Sequence, residues 1–573
     1  MFTRQLMQAA PIAAHTRVAA TRAWPSTTPI IRRSLATSRP NTSRASFRQH
    51  PPPPPQMHDV TPDTTRRNAI IAGILLSAAL GAWYYETTTM GAYSKEPEFS
   101  VTVGRGAKTW SFPRKPMAEL EQMMHQHEKT TSPGRKGNPV LRWDTNYVAS
   151  NEPCEDRSAA DVVPRGPARK SWWSWGAAPA ENTDAVGSRD LVLVSVVDGH
   201  AGDATSKLLE RTLHPTLALA LAGLQAGIVP GASWYSNLAD TLTWAKTWSP
   251  SNVAKTLQNA YVQLDDNICH EPIKMLPELL KTDDIVKTVE TRHKFVALTE
   301  PASHGAVAAS ALVDAENKGL YVAVAGDCRA VAGWQRPDGS WRCDTLTEDQ
   351  MGDNPKEVAR MRSEHPVHEA DTVIRNGRVQ GGLQPTRAFG DAVYKWTTLQ
   401  GEAIAAVFKD EGAKPRSIRP WNFTPPYVTA RPEVTYRSLE GEDKLRFVVL
   451  ATDGLWDRIT SEEAALLVAG YLAHPKAEPI SKEGLATEIP LALTEPRPYP
   501  VEALPGTGKR AKGTWAFDGD KNAATHLIRN AFGGADRKEF QELLSLHGPA
   551  ARYFRDDMTV TVVLFDDEGK SSN

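Results

Sequence analysis

Acidic residues recur in this chain where strand patterns begin or end. Asp198 nearly closes LVLVSVVDGH (191–200), and Asp327 stands in the middle of GLYVAVAGDCRAVAG (319–333). Asp453 follows the apolar run of FVVLATDGLWD (447–457), and Asp556 comes just ahead of MTVTVVLF (558–565). Glu155 and Asp156 precede the first strong strand pattern. A strand end is a rigid mount, so several ends brought together can hold carboxylates at fixed positions. An oxygen-only set of this kind suits hard divalent cations such as Mg²⁺ or Mn²⁺, which keep part of their water shell. Two such ions about 3.5–4 Å apart can activate a water against phosphorus. A single Asp-Gly reads more readily as a turn. Four strand-end acids in one chain are harder to read that way.

These acids need elements to carry them. Residues 191–200 read as a buried strand with a functional turn at its end. Residues 319–333 read as a hairpin turning at Gly326-Asp327, 447–457 as a strand followed by Asp-Gly, and 558–565 as a last strand. Helical patterns cover 202–224, 250–269, 355–363, 460–473 and 521–546. Strands and helices mix without strict βαβ alternation, which predicts an α+β fold with antiparallel sheets and helices outside. Two stretches, 164–189 with three tryptophans and 474–519 rich in Pro, Gly and Lys, read as surface insertions. No internal repeat is evident.

The 573 residues are 40% hydrophobic and 23% charged, ordinary values for a globular protein. The net charge of −1 hides an asymmetry. Eight arginines and no acid lie before Asp59; with those set aside, 58 basic groups face 67 acids. A mildly acidic body argues against a nucleic-acid partner bound by charge. The scattered Cys154, Cys269, Cys328 and Cys343 form no CxxC pair, so neither a disulfide framework nor a zinc site is expected. Residues 1–50 have the Arg-rich, acid-free composition of a mitochondrial presequence. A Pro-rich linker (51–68) follows. The uncharged run Ala69–Tyr85 is a candidate transmembrane helix, with Arg66 and Arg67 before it and Trp83, Tyr84 and Tyr85 at its end. Inner-membrane association follows, with the main body facing either the matrix or the intermembrane space. Residues 86–139 read as linker and start of the main folded domain, 140–566 as that domain, and 567–573 as a tail.

Six segments occur in order: VVDGHAGDATSKLL (196–209), VAGDCRAVAG (324–333), LQPTRAFGD (383–391), ARPEV (430–434), ATDGLWD (451–457) and RDDMTVTVV (555–563). Together they resemble the motif series of the type 2C metal-dependent serine/threonine protein phosphatases. The resemblance implies a four-layer α-β-β-α sandwich of two antiparallel sheets with flanking helices, and two catalytic Mg²⁺ or Mn²⁺ ions. By the same resemblance Asp198 bridges both ions, the Gly199 carbonyl is a further ligand, and Asp453 and Asp556 complete the first ion's set. Glu155 is an acidic ligand of the second ion, and Asp156 beside it acts through a water. Asp327 and Asp457 match the places that hold a weaker third ion in some members. His200 matches the proposed general acid, able to protonate the leaving serine oxygen. No cysteine stands in a nucleophile loop, which disfavours a covalent cysteine mechanism.

Within the family, SNEPCEDRSA (150–159), LTEDQMGDNPKEVARMRSEHP (346–366), AFGDAVYKW (388–396) and TPPYVTARPEVTY (424–436) resemble pyruvate dehydrogenase phosphatase catalytic subunits. That likeness implies a phosphoprotein substrate, the E1 subunit of pyruvate dehydrogenase, and leaves room for a regulatory subunit. Most type 2C enzymes carry a phosphate-holding Arg where this chain has Asn151, so Arg157 becomes a candidate for that work. Segment 392–430 corresponds to the family's variable flap. Two rival readings are a phosphatase for another mitochondrial phosphoprotein and a catalytically silent, membrane-tethered binding module.

Overall fold

The computed structural model describes residues 98–103, 108–150, 152–165, 187–229, 248–279, 285–409, 419–473, 478–495, 499, 511, 513–517 and 519–566. The expected presequence, proline run and apolar segment 69–85 lie outside these residues, as do Asn151 and most of 164–189. No described helix is long and apolar enough to cross a membrane.

The strands used below are β1 (Glu98–Val103), β2 (Lys108–Pro113), β3 (Lys129–Thr131), β4 (Val140–Val148), β5 (Arg157–Val163), β6 (Leu191–His200) and β7 (Gly305–Asp314). They continue with β8 (Gly319–Ala325), β9 (Arg329–Gln335), β10 (Trp341–Thr345), β11 (Glu433–Ser438), β12 (Lys444–Ala451), β13 (Leu491–Leu493) and β14 (Met558–Phe565). Strands β1 and β2 form a separate hairpin. One large sheet runs β13-β10-β9-β12-β14-β4-β3 and the other β11-β8-β7-β6-β5, with Phe389–Gly390 paired to β7. The expected antiparallel pairing holds throughout both except at one edge, where β10 and β13 run parallel.

Both faces of β6 are buried, which is why its sequence is a continuous apolar run and not an alternating one. Val192, Val194 and Val196 pack in one cluster with Val307 and Ala309 of β7, and with Ala330, Val448, Leu450 and Val563 of the other sheet. Leu191, Leu193 and Val197 instead meet Leu209, Leu213 and Leu217 of α1 (Ala204–Gln225) and Tyr261 of α2 (Pro250–Leu279). On the other sheet, Phe447 and Val449 of β12 and Val560 and Val562 of β14 back onto α3 (Ser461–Ala473) and α4 (Ala523–Ala531). Each such side chain contributes roughly 1.5–3 kcal/mol on burial. Ser195 breaks the apolar pattern of β6, but its Oγ bonds His214 Nε2 at 2.8 Å and Ser310 Oγ at 2.6 Å, so its polarity is satisfied.

Several expectations need correction. Residues 319–333 are two strands but not a hairpin: β8 and β9 belong to different sheets, and the chain crosses between the sheets at Gly326-Asp327. Both strands are buried on both faces, so no alternation marked which sheet each joins. The helix expected over 521–546 is two helices, α4 and Arg537–Ser545, separated where Gly533 and Gly534 take positive φ of 119° and 58°. The stretch 474–519 is not all loop, since it contributes the helix Lys482–Glu488 and the edge strand β13. The helix Ile285–Ser303 had no clear apolar period to announce it.

Candidate active site

Register brings the acids to one place. In the first sheet Ala451 of β12 pairs with Val560 of β14 and with Arg329 of β9. The residues just beyond those strand ends, Asp453, Asp556 and Asp327, therefore leave the sheet on the same side. In the second sheet Arg157 pairs with Val197, His200 with Gly305, and Ala308 with Ala325. That sets Asp156, Asp198 and again Asp327 along one edge. Asp327 sits in the crossover and joins the two edges.

The carboxylates feel one another. Burial pushes Asp198 well above the usual carboxylate range, and Asp453, Asp156, Asp327 and Asp556 add to it. Asp453 is raised in the same way, by burial and then by Asp556, Asp327, Asp457 and Asp156. Burial lifts Asp156 to about 8, with Asp557 the next cause. It lifts Asp327 to about 7, with Asp349 next, while His200 opposes the rise. Asp556 is also raised by burial, against the pull of Arg552. Buried like charges of this density call for protons or cations. Asp453 Oδ1 is buried without a hydrogen-bond partner, an acceptor that a divalent cation would satisfy. The acids gather without closing on themselves: among the described residues no group of three or more His, Cys, Asp or Glu is set to hold a metal ion as it stands.

Neighbouring residues fix the loops that bear these acids. Asp557 accepts from Ser150 N at 2.6 Å and Glu155 N at 2.8 Å, which ties the strand-end loop to β14. Glu155 Oε1 accepts from Gly202 N at 2.6 Å. Gly202 has φ of 124°, and a Cβ there would overlap the His304 ring, so glycine is needed at this bond. Thr452 Oγ1 donates to Asp156 Oδ2 at 2.8 Å and accepts from Thr559 N at 3.0 Å. The Asp327 turn is held by Gln350, whose Oε1 accepts from Gly326 N at 2.8 Å. Asp457 follows the short helix Asp453–Trp456, its N bonded to Asp453 O at 2.8 Å. Gly199 packs so tightly that a Cβ would press on the Glu155 carbonyl and the Ser206 side chain.

His200 Nε2 donates to Asp391 Oδ2 at 2.5 Å. Asp391 is fully buried in the left-handed region at φ 48°, its N bonded to His304 O at 2.8 Å. A buried carboxylate thus sets the orientation of an imidazole at the rim of the acidic cluster.

Comparison with known proteins gives this geometry a family. Residues 244–489 match the family described as Protein phosphatase 2C. A protein phosphatase 2C homolog of Schizosaccharomyces pombe is 33% identical over 451 residues, covering 78% of this chain and 85% of its own. The chain belongs to the protein phosphatase 2C family. Mitochondrial pyruvate dehydrogenase (acetyl-transferring) phosphatase 1 of Saccharomyces cerevisiae is 32% identical to this phosphatase, covering 79% of this chain and 74% of the relative. Mitochondrial pyruvate dehydrogenase (acetyl-transferring) phosphatase 2 of Homo sapiens is 31% identical, with coverage of 76% and 79%. The serine-threonine phosphatase 2C structure from Toxoplasma gondii matches at TM-score 0.39 and 15% identity over 77% of this chain and 99% of that one.

The phosphatase commits Arg157 to its own scaffold. Its Nη1 donates to the carbonyls of Cys154 at 2.7 Å and Asp156 at 2.5 Å, and its Nη2 to Asp203 at 3.1 Å. Asn151 lies outside the described residues. Sequence reasoning missed the parts played by Asp391, Asp557, Gln350 and Thr452. Asp391 was visible within LQPTRAFGD, but its partner is 191 residues away. Asp557 sits beside Asp556, and only the folded register tells which of the two faces the cluster and which anchors the loop.

Proposed function

We propose that this phosphatase hydrolyses phosphoserine and phosphothreonine on mitochondrial proteins with the help of two Mg²⁺ or Mn²⁺ ions, and that phosphorylated pyruvate dehydrogenase E1 is its substrate. The observation that carries the proposal is the massing of buried, mutually raised carboxylates from strand ends of both sheets, with Asp453 Oδ1 left unpartnered. The shared inner cluster and the outer helices support reading the fold as a four-layer α-β-β-α sandwich. The names of the yeast and human relatives support the substrate and, with the arginine-rich residues 1–50, a mitochondrial location.

Asp198, Glu155, Asp156, Asp453 and Asp556 would hold the ions, with the Gly199 carbonyl as a neutral ligand and Asp327 and Asp457 as the place of a weaker third. Such ions supply positive charge for the phosphoryl oxygens and make water more acidic. Water attacks phosphorus in line with the departing oxygen, and the bond from phosphorus to the seryl or threonyl oxygen breaks. His200 gives that oxygen its proton while Asp391 holds the ring through Nε2.

The test is Mn²⁺-dependent hydrolysis of phosphorylated E1 by the full chain, beside the Asp198→Ala variant. The expected result is turnover by the natural protein and a loss of at least about a thousandfold in the variant. A silent natural protein would leave only a binding module, and a fully active variant would put the chemistry at a different site. Protease protection in mitochondria with ruptured outer membranes separates the substrates: exposure to the intermembrane space would exclude the matrix E1 and favour another phosphoprotein.

A further inference from the structure

A phosphomonoester brings about two negative charges to a site already crowded with carboxylates, so a cation with uncommitted donors belongs at its mouth. Three arginines stand close. Arg157 is spent on two carbonyls and Asp203. Arg555 is buried and gives Nε to Leu543 O at 3.1 Å and Nη1 to Ala149 O at 2.6 Å. Arg552 differs from both. It sits on the short helix Pro549–Phe554, four residues before Asp556. Its side chain is 41% exposed, its Nη1 lies 2.7 Å from Asp556 Oδ1 and 3.6 Å from Glu155 Oε2, and among the described residues it makes no other hydrogen bond. The Nε and Nη2 donors remain for an incoming group.

We propose that Arg552 is the substrate's phosphate-binding residue, a reading that rests on the function proposed above. It is parked on Asp556 and Glu155 while their charge is uncompensated. Once those carboxylates are engaged elsewhere, the guanidinium turns its planar fork to two phosphoryl oxygens. This gives the site a phosphate-holding arginine from the C-terminal segment, in a chain whose sequence has Asn at position 151.

The experiment uses the full chain, the Arg552→Ala and Arg552→Lys variants, Mn²⁺, and inorganic phosphate as probe. Arg552→Ala is expected to weaken phosphate inhibition and raise KM for a phosphopeptide, each by about 10- to 100-fold. The Mn²⁺ concentration for half activation should stay the same or fall. Arg552→Lys keeps the charge without the fork and should recover part of the loss. Phosphate affinity within about twofold of the natural protein in Arg552→Ala overturns the proposal, whether or not the Mn²⁺ requirement moves. If Arg552→Ala does not fold, the same ratio measured on Arg552→Gln, which removes the charge and keeps most of the length, decides. If the natural protein turns over no phosphopeptide, calorimetric binding of inorganic phosphate to the Mn²⁺-loaded chain gives the same comparison. Arg552-dependent binding there would sustain this site while ending the phosphatase reading.

Discussion

At the scale of single residues, the His200–Asp391 pair is the most exposed to test. A phosphoserine leaves as a poor alkoxide and needs a proton, whereas p-nitrophenolate leaves readily without one. His200→Ala should therefore lower kcat on a phosphopeptide by roughly 10²–10⁴-fold and on p-nitrophenyl phosphate by much less. Asp391→Asn keeps the size but removes the acceptor charge, and should produce the same substrate-dependent pattern in weaker form. Equal losses on both substrates would assign the pair to folding or substrate binding instead. Asp556 and Asp557 make the same point about neighbours: one faces the acids while the other takes the N–H groups of Ser150 and Glu155.

At the scale of elements, the site is a property of strand ends in register. His200 is opposite Gly305 in the β6–β7 ladder. A Cβ on Gly305 would run into both His200 Nε2 and Asp391 Oδ2. Its φ is ordinary, so alanine strains no backbone, and the damage falls on the pair itself. Gly305→Ala is expected to cut phosphopeptide turnover by about tenfold or more while Mn²⁺ activation is preserved, measured by kcat alongside the metal titration. Gly454→Ala should be worse for the fold, because its Cβ would strike the Asp557 backbone carbonyl. Overpacking against rigid backbone costs about 1–3 kcal/mol, readable as a lowered melting temperature. The strands themselves were legible: 191–200 and 558–565 carry the apolar, β-branched runs that become β6 and β14. The sheet assignment of β8 and β9 was not, because strands buried on both faces carry no alternation to mark a partner.

At the scale of the whole molecule, the acidic cluster makes stability depend on pH and metal together. Asp156 at about 8 and Asp327 at about 7 bind protons in the fold that the unfolded chain, near 4, has already released. For raised carboxyls the stabilising contribution is full below about pH 4 and fades as pH climbs through 7 to 8. The metal-free chain should thus lose melting temperature between about pH 4 and 8, and Mn²⁺ should restore it most at the alkaline end. Paired thermal scans in Mn²⁺ and in EDTA check this. A gap that is flat across pH would mean that no cation relieves the cluster.

Read alone, the residue order determined the family, the α+β class, most of the strands and the identity of the acids, because local apolar runs and short motifs are written in neighbouring letters. It located Asp198, Asp327, Asp453 and Asp556 at strand ends without saying that those ends come together. Tertiary structure decided that, through ladder register between segments hundreds of residues apart. It also decided that Asp391 holds His200, that Asp557 anchors a loop, that Arg157 is consumed by its own backbone, and that Arg552 stands at the mouth. The physical reason is common to all four. A side chain's type is local, but its partner, its burial and therefore its charge state are set by whatever the fold packs against it.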